Sequence, residues 1–251
     1  ADSTVEGNLL DHCVREALAD TAPRAMAVLN PLKLTFANWE EGKVDTLTVE
    51  NHPDHPEMGT REIHFTKHAY IEREDFMEEP VKKFFRLAPG KEVRLKGAYI
   101  VRCDEVVKDE NGEIVELICS VDLDSRSGSE GANRKVKGTL HFLSDMDARD
   151  CEFRLYEPIL REEEPEAAAQ ADPEAEEGAE PVASDFMSRI NPDSLRVMKG
   201  YCEPFIADSD VGATFQFLRM GYFCKDRDST TELPVFNRTV GLKDSWAKVA
   251  K

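Results

Sequence analysis

The chain has 251 residues, 41% of them hydrophobic, enough to bury the cores of two ordinary domains without disulfide staples. Its six cysteines include no C-x-x-C pair, which argues against a zinc knuckle and for reduced thiols in a cytoplasmic protein; no apolar run approaches the ~20 residues that span a bilayer, and the opening ADSTVEGN lacks a signal-peptide pattern. A formal net charge of −18 speaks against phosphate binding, which needs local positive charge, unless the charges are segregated along the chain.

Residues 8–20 place Leu9, Leu10, Cys13, Val14, Ala17 and Leu18 on one helical face, and Pro23 stops the helix. Such a helix is expected to close a preceding helical domain. From Ala25 the pattern becomes β-rich: LKLTFAN, VDTLTVEN, REIHFT and HAYIER, separated by turn residues at barrel or sandwich spacing. The turn NHPDHPE (51–57) holds His52, Asp54, His55 and Glu57. Two prolines stiffen it and no further ligand stands at metal-site spacing, so it reads as a structural loop.

Asp75 and Glu78, followed by Pro80 and VKKFFRL, predict a short helix over 75–87. EVRLKGAYIVRCDEVVKD, Asn111-Gly112 and EIVELICSVDL form the strongest hairpin signal in the chain. Alternation turns Val93 and Leu95 one way and Arg94 and Lys96 the other. From Lys82 to Arg102, seven cations face only Glu92, a local charge of +6. RKVKGTLHFL and CEFRLYEPIL are further strand candidates. Segment 162–184 is acidic, rich in Pro and Ala, and predicted to be a disordered insertion. Between Arg161 and Arg189 lie ten acidic residues and no Lys or Arg, which accounts for −10 of the −18. FQFLRMGYFC and VFNRTVGL resume strand character, and KDSWAKVAK reads as a short helix.

No Gly-rich phosphate loop, G-x-S-x-G or H-E-x-x-H is present, so composition and motifs supply no catalytic apparatus. Phe84, Phe85 and Tyr99 interleave the basic stretch and are able to stack on unpaired bases, although Phe84 on an amphipathic helix reads first as core. Gln216 and Arg219, three apart, fall on opposite faces of an extended run unless a bend intervenes.

Taken in order, APRAMAVLNPLKL (22–34), NHPDHPEMG (51–59), GKEVRL (90–95), RKVKGTLHF (134–142), INPDSL (190–195), FQFLRMGYFC (215–224) and VFNRTVGLKDSWAK (235–248) resemble the C-terminal anticodon-binding region of bacterial glutaminyl-tRNA synthetases of class I. The resemblance implies a mainly β fold of two tandem β-barrels, of the ribosomal-protein-like anticodon-binding kind, with a short N-terminal helix over 1–24. Residues 25–74 and 185–251 are expected to build the proximal barrel and 75–161 the distal one, with 162–184 inserted.

It further implies recognition of the tRNA(Gln) anticodon stem-loop, within an enzyme that attaches glutamine to tRNA with ATP in translation. The HIGH and KMSKS-type signatures are missing, so no catalytic residue, cofactor or metal is expected in this chain; ATP with magnesium would belong to a partnering catalytic domain. By resemblance Arg24, Gln216 and Arg219 form the pocket for the central uridine, and Arg86 meets the third base, a guanine, whose O6 and N7 suit a guanidinium. Arg94 and Lys96 match positions near the first base and its phosphates, and Lys83 completes the RNA-binding set. Phe85 stands where the family carries a second basic residue. Two other readings stay open: the same region of an archaeal-type glutamyl-tRNA synthetase, and a stand-alone barrel that docks RNA or protein. FQFLR and INPDSL favour the glutamine branch.

Overall fold

The computed structural model describes residues 7–160 and 189–243. Helix α1 (Gly7–Thr21) leads into strands numbered in chain order. One seven-stranded sheet contains, side by side, β1 (Arg24–Ala25), β14 (Thr214–Phe217), β15 (Gly221–Lys225), β16 (Val235–Val240), β12 (Arg149–Tyr156), β13 (Leu195–Cys202) and β2 (Ala27–Val28). Its outermost strands, β1 and β2, are separated in the chain by Met26 alone. Two edges joined by one residue must lie together, so the sheet is bent into a closed barrel with no exposed edge at that seam.

The second sheet closes in the same way. Its order is β10 (Thr139–Leu140), β7 (Glu92–Leu95), β8 (Ile100–Lys108), β9 (Ile114–Asp122), β3 (Pro31–Phe36), β6 (His68–Glu72) and β11 (Leu143–Ser144). Only His141 and Phe142 separate its two end strands. A hairpin of β4 (Asp45–Glu50) and β5 (Thr60–Phe65) forms a separate two-stranded sheet whose Leu47, Ile63 and Phe65 enter the second barrel's core. The predicted turn at Asn111-Gly112 joins β8 to β9; Asp109 Oδ1 accepts from the N–H groups of Asn111 and Glu113, and Gly112 takes φ +83°.

Each barrel is filled by the period-2 face of its strands. Along β3, Leu32, Leu34 and Phe36 are buried while Pro31, Lys33 and Thr35 are half-exposed. The first barrel's core is aromatic: Phe153, Phe215, Phe217, Phe223 and Phe236 interlock, with the rings of Phe217 and Phe223 stacked 4.5 Å apart. Each such side chain contributes roughly 1.5–3 kcal/mol by leaving water. Met26, the residue between β1 and β2, points into the second barrel's core while Ala25 and Ala27 face the first.

Several expectations are corrected. Residues 31–72 belong with 92–144 in one barrel, and β12 belongs to the other, so the divisions fall near Asn30 and Asp145 rather than at 74 and 161. The cause is the parallel pairing of β3 with β9 (Leu34 opposite Leu117), a partnership between distant segments that no local hydropathy period encodes. The helix predicted over 75–87 is a turn-rich loop instead: Lys83 adopts φ +71°, incompatible with a helix, and a bridge between Phe76 and Leu87 ties the loop's ends. RKVKGTLHFL yields only the short β10 and β11. The stripe on α1 is half-covered: Val14 and Leu18 pack on Ala22, Tyr222 and Val240, whereas Leu10 is 60% exposed and Cys13 is also exposed. The expected acidic insertion at 162–184 and nearly all of the helix expected in KDSWAKVAK lie outside the described residues.

Candidate nucleic-acid interface

The segment that closes the first barrel carries Arg24. In β1 it stands directly beside Gln216 of β14, so both side chains occupy one face of the parallel pair. The Arg24 guanidinium donates to Ala19 O and Ala22 O at 3.0 Å, capping one carbonyl of the last turn of α1 and one just beyond its end. His52 shares that task. Its Nδ1 accepts from Asp54 N–H at 3.1 Å, so Nε2 carries the hydrogen that Ala19 O accepts at 2.8 Å. The NHPDHPE turn is thus a staple between loop and helix, and no group of three or more metal-competent side chains occurs among the described residues.

A cavity of about 520 Å³ opens where the two barrels and the β4–β5 hairpin meet, lined by Arg24, Arg61, Arg94, Lys96, Glu50 and Leu218, among others. Three predicted residues therefore share one hollow. Arg94 is locked: its guanidinium donates to Ser125 O at 3.0 Å and Ala132 O at 2.9 Å, and the loop supplying those carbonyls is itself anchored by Arg126, which grips Asp45 at 2.8 and 2.9 Å. Lys96 is exposed at the rim. Gly97 closes the floor at φ +73°, and a Cβ there would lie 2.4 Å from Val49 Cγ1.

The bend between Gln216 and Arg219 is present. β14 ends at Phe217, Met220 N–H donates back to Phe217 O at 2.9 Å, and Arg219 takes φ +69°. Among the described residues Lys83 and Arg219 are the two non-glycine residues with left-handed φ, and both belong to the predicted set. Conformations of this kind cost of order 1–3 kcal/mol and are held where the surroundings dictate them. For Arg219 that surrounding is Asp75, only 1% exposed, which receives Nη1 and Nη2 at 2.7 Å each. Arg86 approaches the same carboxylate with Nε at 3.3 Å and donates to Glu74 O at 2.9 Å.

The seven predicted residues thus fall into groups. Arg24, Arg94 and Lys96 line the cavity, Gln216 adjoins Arg24, Arg86 and Arg219 converge on Asp75, and Lys83 stands by itself on the exposed turn. Gln216 Oε1 is buried without a hydrogen-bond partner. Sequence reasoning treated Asp75 only as a helix cap and passed over Arg61. Arg61 pairs in two-point fashion with Glu203 at 2.8 and 2.9 Å and lies 4.7 Å over the Phe205 ring. Glu203 also accepts from Met26 N–H at 2.5 Å, joining the hairpin to the seam between barrels. Burial pushes the Glu203 carboxyl above its ordinary range, against the pull of Arg61. One acidic residue among 50 carries no local signal that a distant arginine will need it.

A family model described as tRNA synthetases class I (E and Q), anti-codon binding domain, matches residues 22–122, and a second model of the same description matches 139–226. Among curated proteins, the chain is 48% identical over 250 residues to the glutamine–tRNA ligase of Nitrobacter hamburgensis, covering 100% of this chain and 42% of that protein. It is 47% identical over 247 residues to that of Clostridium perfringens, with 98% and 42% covered, and 45% identical over 249 residues to that of Vibrio campbellii, with 99% and 42% covered. The chain spans 42% of the length of each of these relatives.

Proposed function

The chain belongs to the anticodon-binding family of the class I (E and Q) tRNA synthetases, and from that premise we propose that it reads the anticodon stem-loop of tRNA(Gln) within a glutamine–tRNA ligase. Glutamine, ATP and magnesium are then handled by a catalytic domain of the same enzyme, and these residues contribute recognition alone. The names of the relatives favour the glutamine over the glutamate branch. A cytoplasmic setting accompanies this reading; among the described residues no helix is long and apolar enough to cross a membrane.

The observation that carries the proposal is the convergence of Arg24, Arg94 and Lys96 on one cavity, although they come from different barrels of an acidic protein. Such a hollow suits an unstacked nucleotide, because single-stranded RNA is read by splaying bases into separate pockets. Beside it, Gln216 stands next to Arg24 in the β1–β14 pair, and guanidinium donors match the carbonyl oxygens of a uracil. Arg219 spends two donors on Asp75 and retains others for a base. Arg86, braced by the same carboxylate, is assigned to the third base, Arg94 and Lys96 to the first base and its phosphates, and Lys83 to the RNA backbone.

Binding of RNA hairpins that differ only in the anticodon tests this. Wild type prefers the glutamine anticodon, and Arg24→Ala or Arg219→Ala reduces that preference by ~1–3 kcal/mol per lost base contact. Equal weakening toward all hairpins sinks the pocket assignment. Lys96→Ala weakens every hairpin alike and lowers the slope of log K against log salt by about 1.

A further inference from the structure

All six cysteines are free, and four of them fall into two buried pairs, one inside each barrel. Cys103 of β8 and Cys119 of β9 lie in the core of the second barrel, and Cys151 of β12 and Cys202 of β13 in that of the first. The pairs differ in register. Cys103 stands directly opposite Cys119, whereas Cys151 faces Gly200 and Cys202 faces Arg149, so the first barrel's pair is only diagonal.

Backbone hydrogen bonds fix the spacing of the opposed pair. Cys103 O accepts from Gly90 N–H at 2.7 Å and Cys103 N–H donates to Lys91 O at 3.3 Å, while Cys119 O accepts from Ala37 N–H at 2.9 Å. The two residues turn their peptide groups away from each other. They are therefore a non-hydrogen-bonded antiparallel pair, the narrow kind, with Cα atoms about 4.5 Å apart and side chains on one face. A disulfide spans Cα separations of about 4.4–6.8 Å. Diagonal neighbours such as Cys151 and Cys202 lie about 7–8 Å apart, beyond that reach.

The opposed thiols are also unequal. The Cys119 thiol hydrogen-bonds to the Cys103 sulfur and holds the Cys103 pKa below the ordinary thiol value, while the same bond, with burial, pushes Cys119 up. Cys103 is thus the nucleophile of the pair. Its cover is thin: Pro89 meets Cys103 in an isolated bridge, the bond to Lys91 is long, and the β8–β9 register slips between Cys103 and Glu105. Local opening of residues 89–91 exposes Cys103 at less cost than unfolding the barrel.

We infer that Cys103 and Cys119 form a peroxide-oxidisable dithiol that closes into an intramolecular disulfide across β8 and β9. The Cys103 thiolate, its proton given to solvent, attacks one oxygen of hydrogen peroxide. The O–O bond breaks, the departing hydroxide takes a proton from solvent and leaves as water, and Cys103 becomes the sulfenic acid. The Cys119 sulfur then attacks Cys103 Sγ; the S–O bond breaks, and hydroxide leaves as water with the Cys119 proton. Two thiols are oxidised to one disulfide, and one peroxide is reduced to two waters. The bond encloses residues 104–118 and staples the hairpin by restricting the unfolded chain. It is independent of the anticodon reading.

The test treats the full chain with hydrogen peroxide under native conditions, then denatures it, alkylates the remaining thiols and maps peptides by mass spectrometry. A linked Cys103–Cys119 peptide pair is expected, reversed by dithiothreitol, with Cys151 and Cys202 recovered as alkylated thiols. The crosslinked chain should unfold at a higher urea concentration than the reduced one. Cys119→Ala should leave a sulfenic acid on Cys103 that dimedone traps, and Cys103→Ala should leave Cys119 unoxidised. Full recovery of Cys103 and Cys119 as thiols while the exposed Cys13 is oxidised overturns the inference. So does a Cys151–Cys202 crosslink in equal yield, or a Cys103–Cys119 crosslink that forms only at urea concentrations that unfold the chain.

Discussion

Asp75 and Arg219 meet across the junction of the two barrels in a two-point ion pair, with both oxygens engaged at 2.7 Å and the carboxylate almost fully buried. Arg86 leans on the same group from the second barrel's loop. One carboxylate therefore sets the orientation of two arginines assigned to different bases. Asp75→Asn, which preserves shape but removes the charge, is expected to reduce discrimination at the central and third anticodon positions together, whereas Arg219→Gln affects the central one alone. Stability should respond as well: a double-mutant cycle by urea unfolding is expected to give a coupling of about 1–3 kcal/mol between Asp75 and Arg219. A coupling near zero contradicts the bracing role.

Arg61→Ala leaves Glu203, 2% exposed, without its countercharge and is expected to destabilise the chain by about 3–5 kcal/mol at neutral pH. Burial already raises the Glu203 carboxyl pKa, and loss of Arg61 raises it further. A group whose folded pKa lies above its unfolded value is least costly below the unfolded value and penalises folding as pH rises through the folded one. The defect in Arg61→Ala should thus shrink on acidification, by urea titrations at several pH values. Arg61→Lys should restore little, since an ammonium cannot reproduce the two-point contact.

Gly97→Ala probes the cavity floor. The added methyl would sit 2.4 Å from Val49 Cγ1 and force a left-handed alanine. A cost of about 1–2 kcal/mol is expected from the backbone alone, with a steric contribution added. Thermal unfolding of Gly97→Ala combined with Val49→Ala should recover the steric part only. Full recovery would mean that φ at this position is not strained.

Asp45, Arg126 and Tyr99 make stability fall at both ends of the pH scale. The Arg126 guanidinium, helped by the Tyr99 hydroxyl at 2.6 Å, holds the Asp45 carboxyl below its usual range; its contribution is present above the unfolded value and is lost as pH falls through the depressed one. Tyr99 is pushed up to about 12, first by burial and then by its bond to Asp45. Its contribution is complete below about 10 and disappears as pH rises toward about 12. Tyr99→Phe should flatten the alkaline limb and Asp45→Asn the acidic one, by chemical denaturation across pH.

The sequence carried much of this fold in its alternation. The β8–β9 hairpin, the split between Val93/Leu95 and Arg94/Lys96, and α1 all follow from local pattern. What escaped it was non-local. Nothing in Pro31–Phe36 announces a parallel partner in Ile114–Asp122, and the apparent helix of 75–87 was undone by one left-handed lysine and by hydrogen bonds at the loop's ends. Of the site, the charge pattern marked only the basic run from Lys82 to Arg102, and the choice of Arg24, Arg86 and Arg219 came from the family resemblance. Their organiser Asp75 and the Arg61–Glu203 joint are properties of tertiary approach, invisible until distant segments are brought together.

The seam at Arg24–Val28 also bears on how the protein is made. These residues leave the ribosome well before β12 to β16, yet β1 and β2 pair with β14 and β13. The second barrel needs only residues 31–144 to complete its strand order, and Met26 is buried in its core. The second barrel can thus complete its strand order before β12 to β16 have been made, with the seam already present for those strands to close on. Pairings this distant are slow, and the interval exposes unpaired edges. Arg24 lies on that seam, so one half of the proposed RNA-reading pair is synthesised well before the strand that carries its neighbour Gln216.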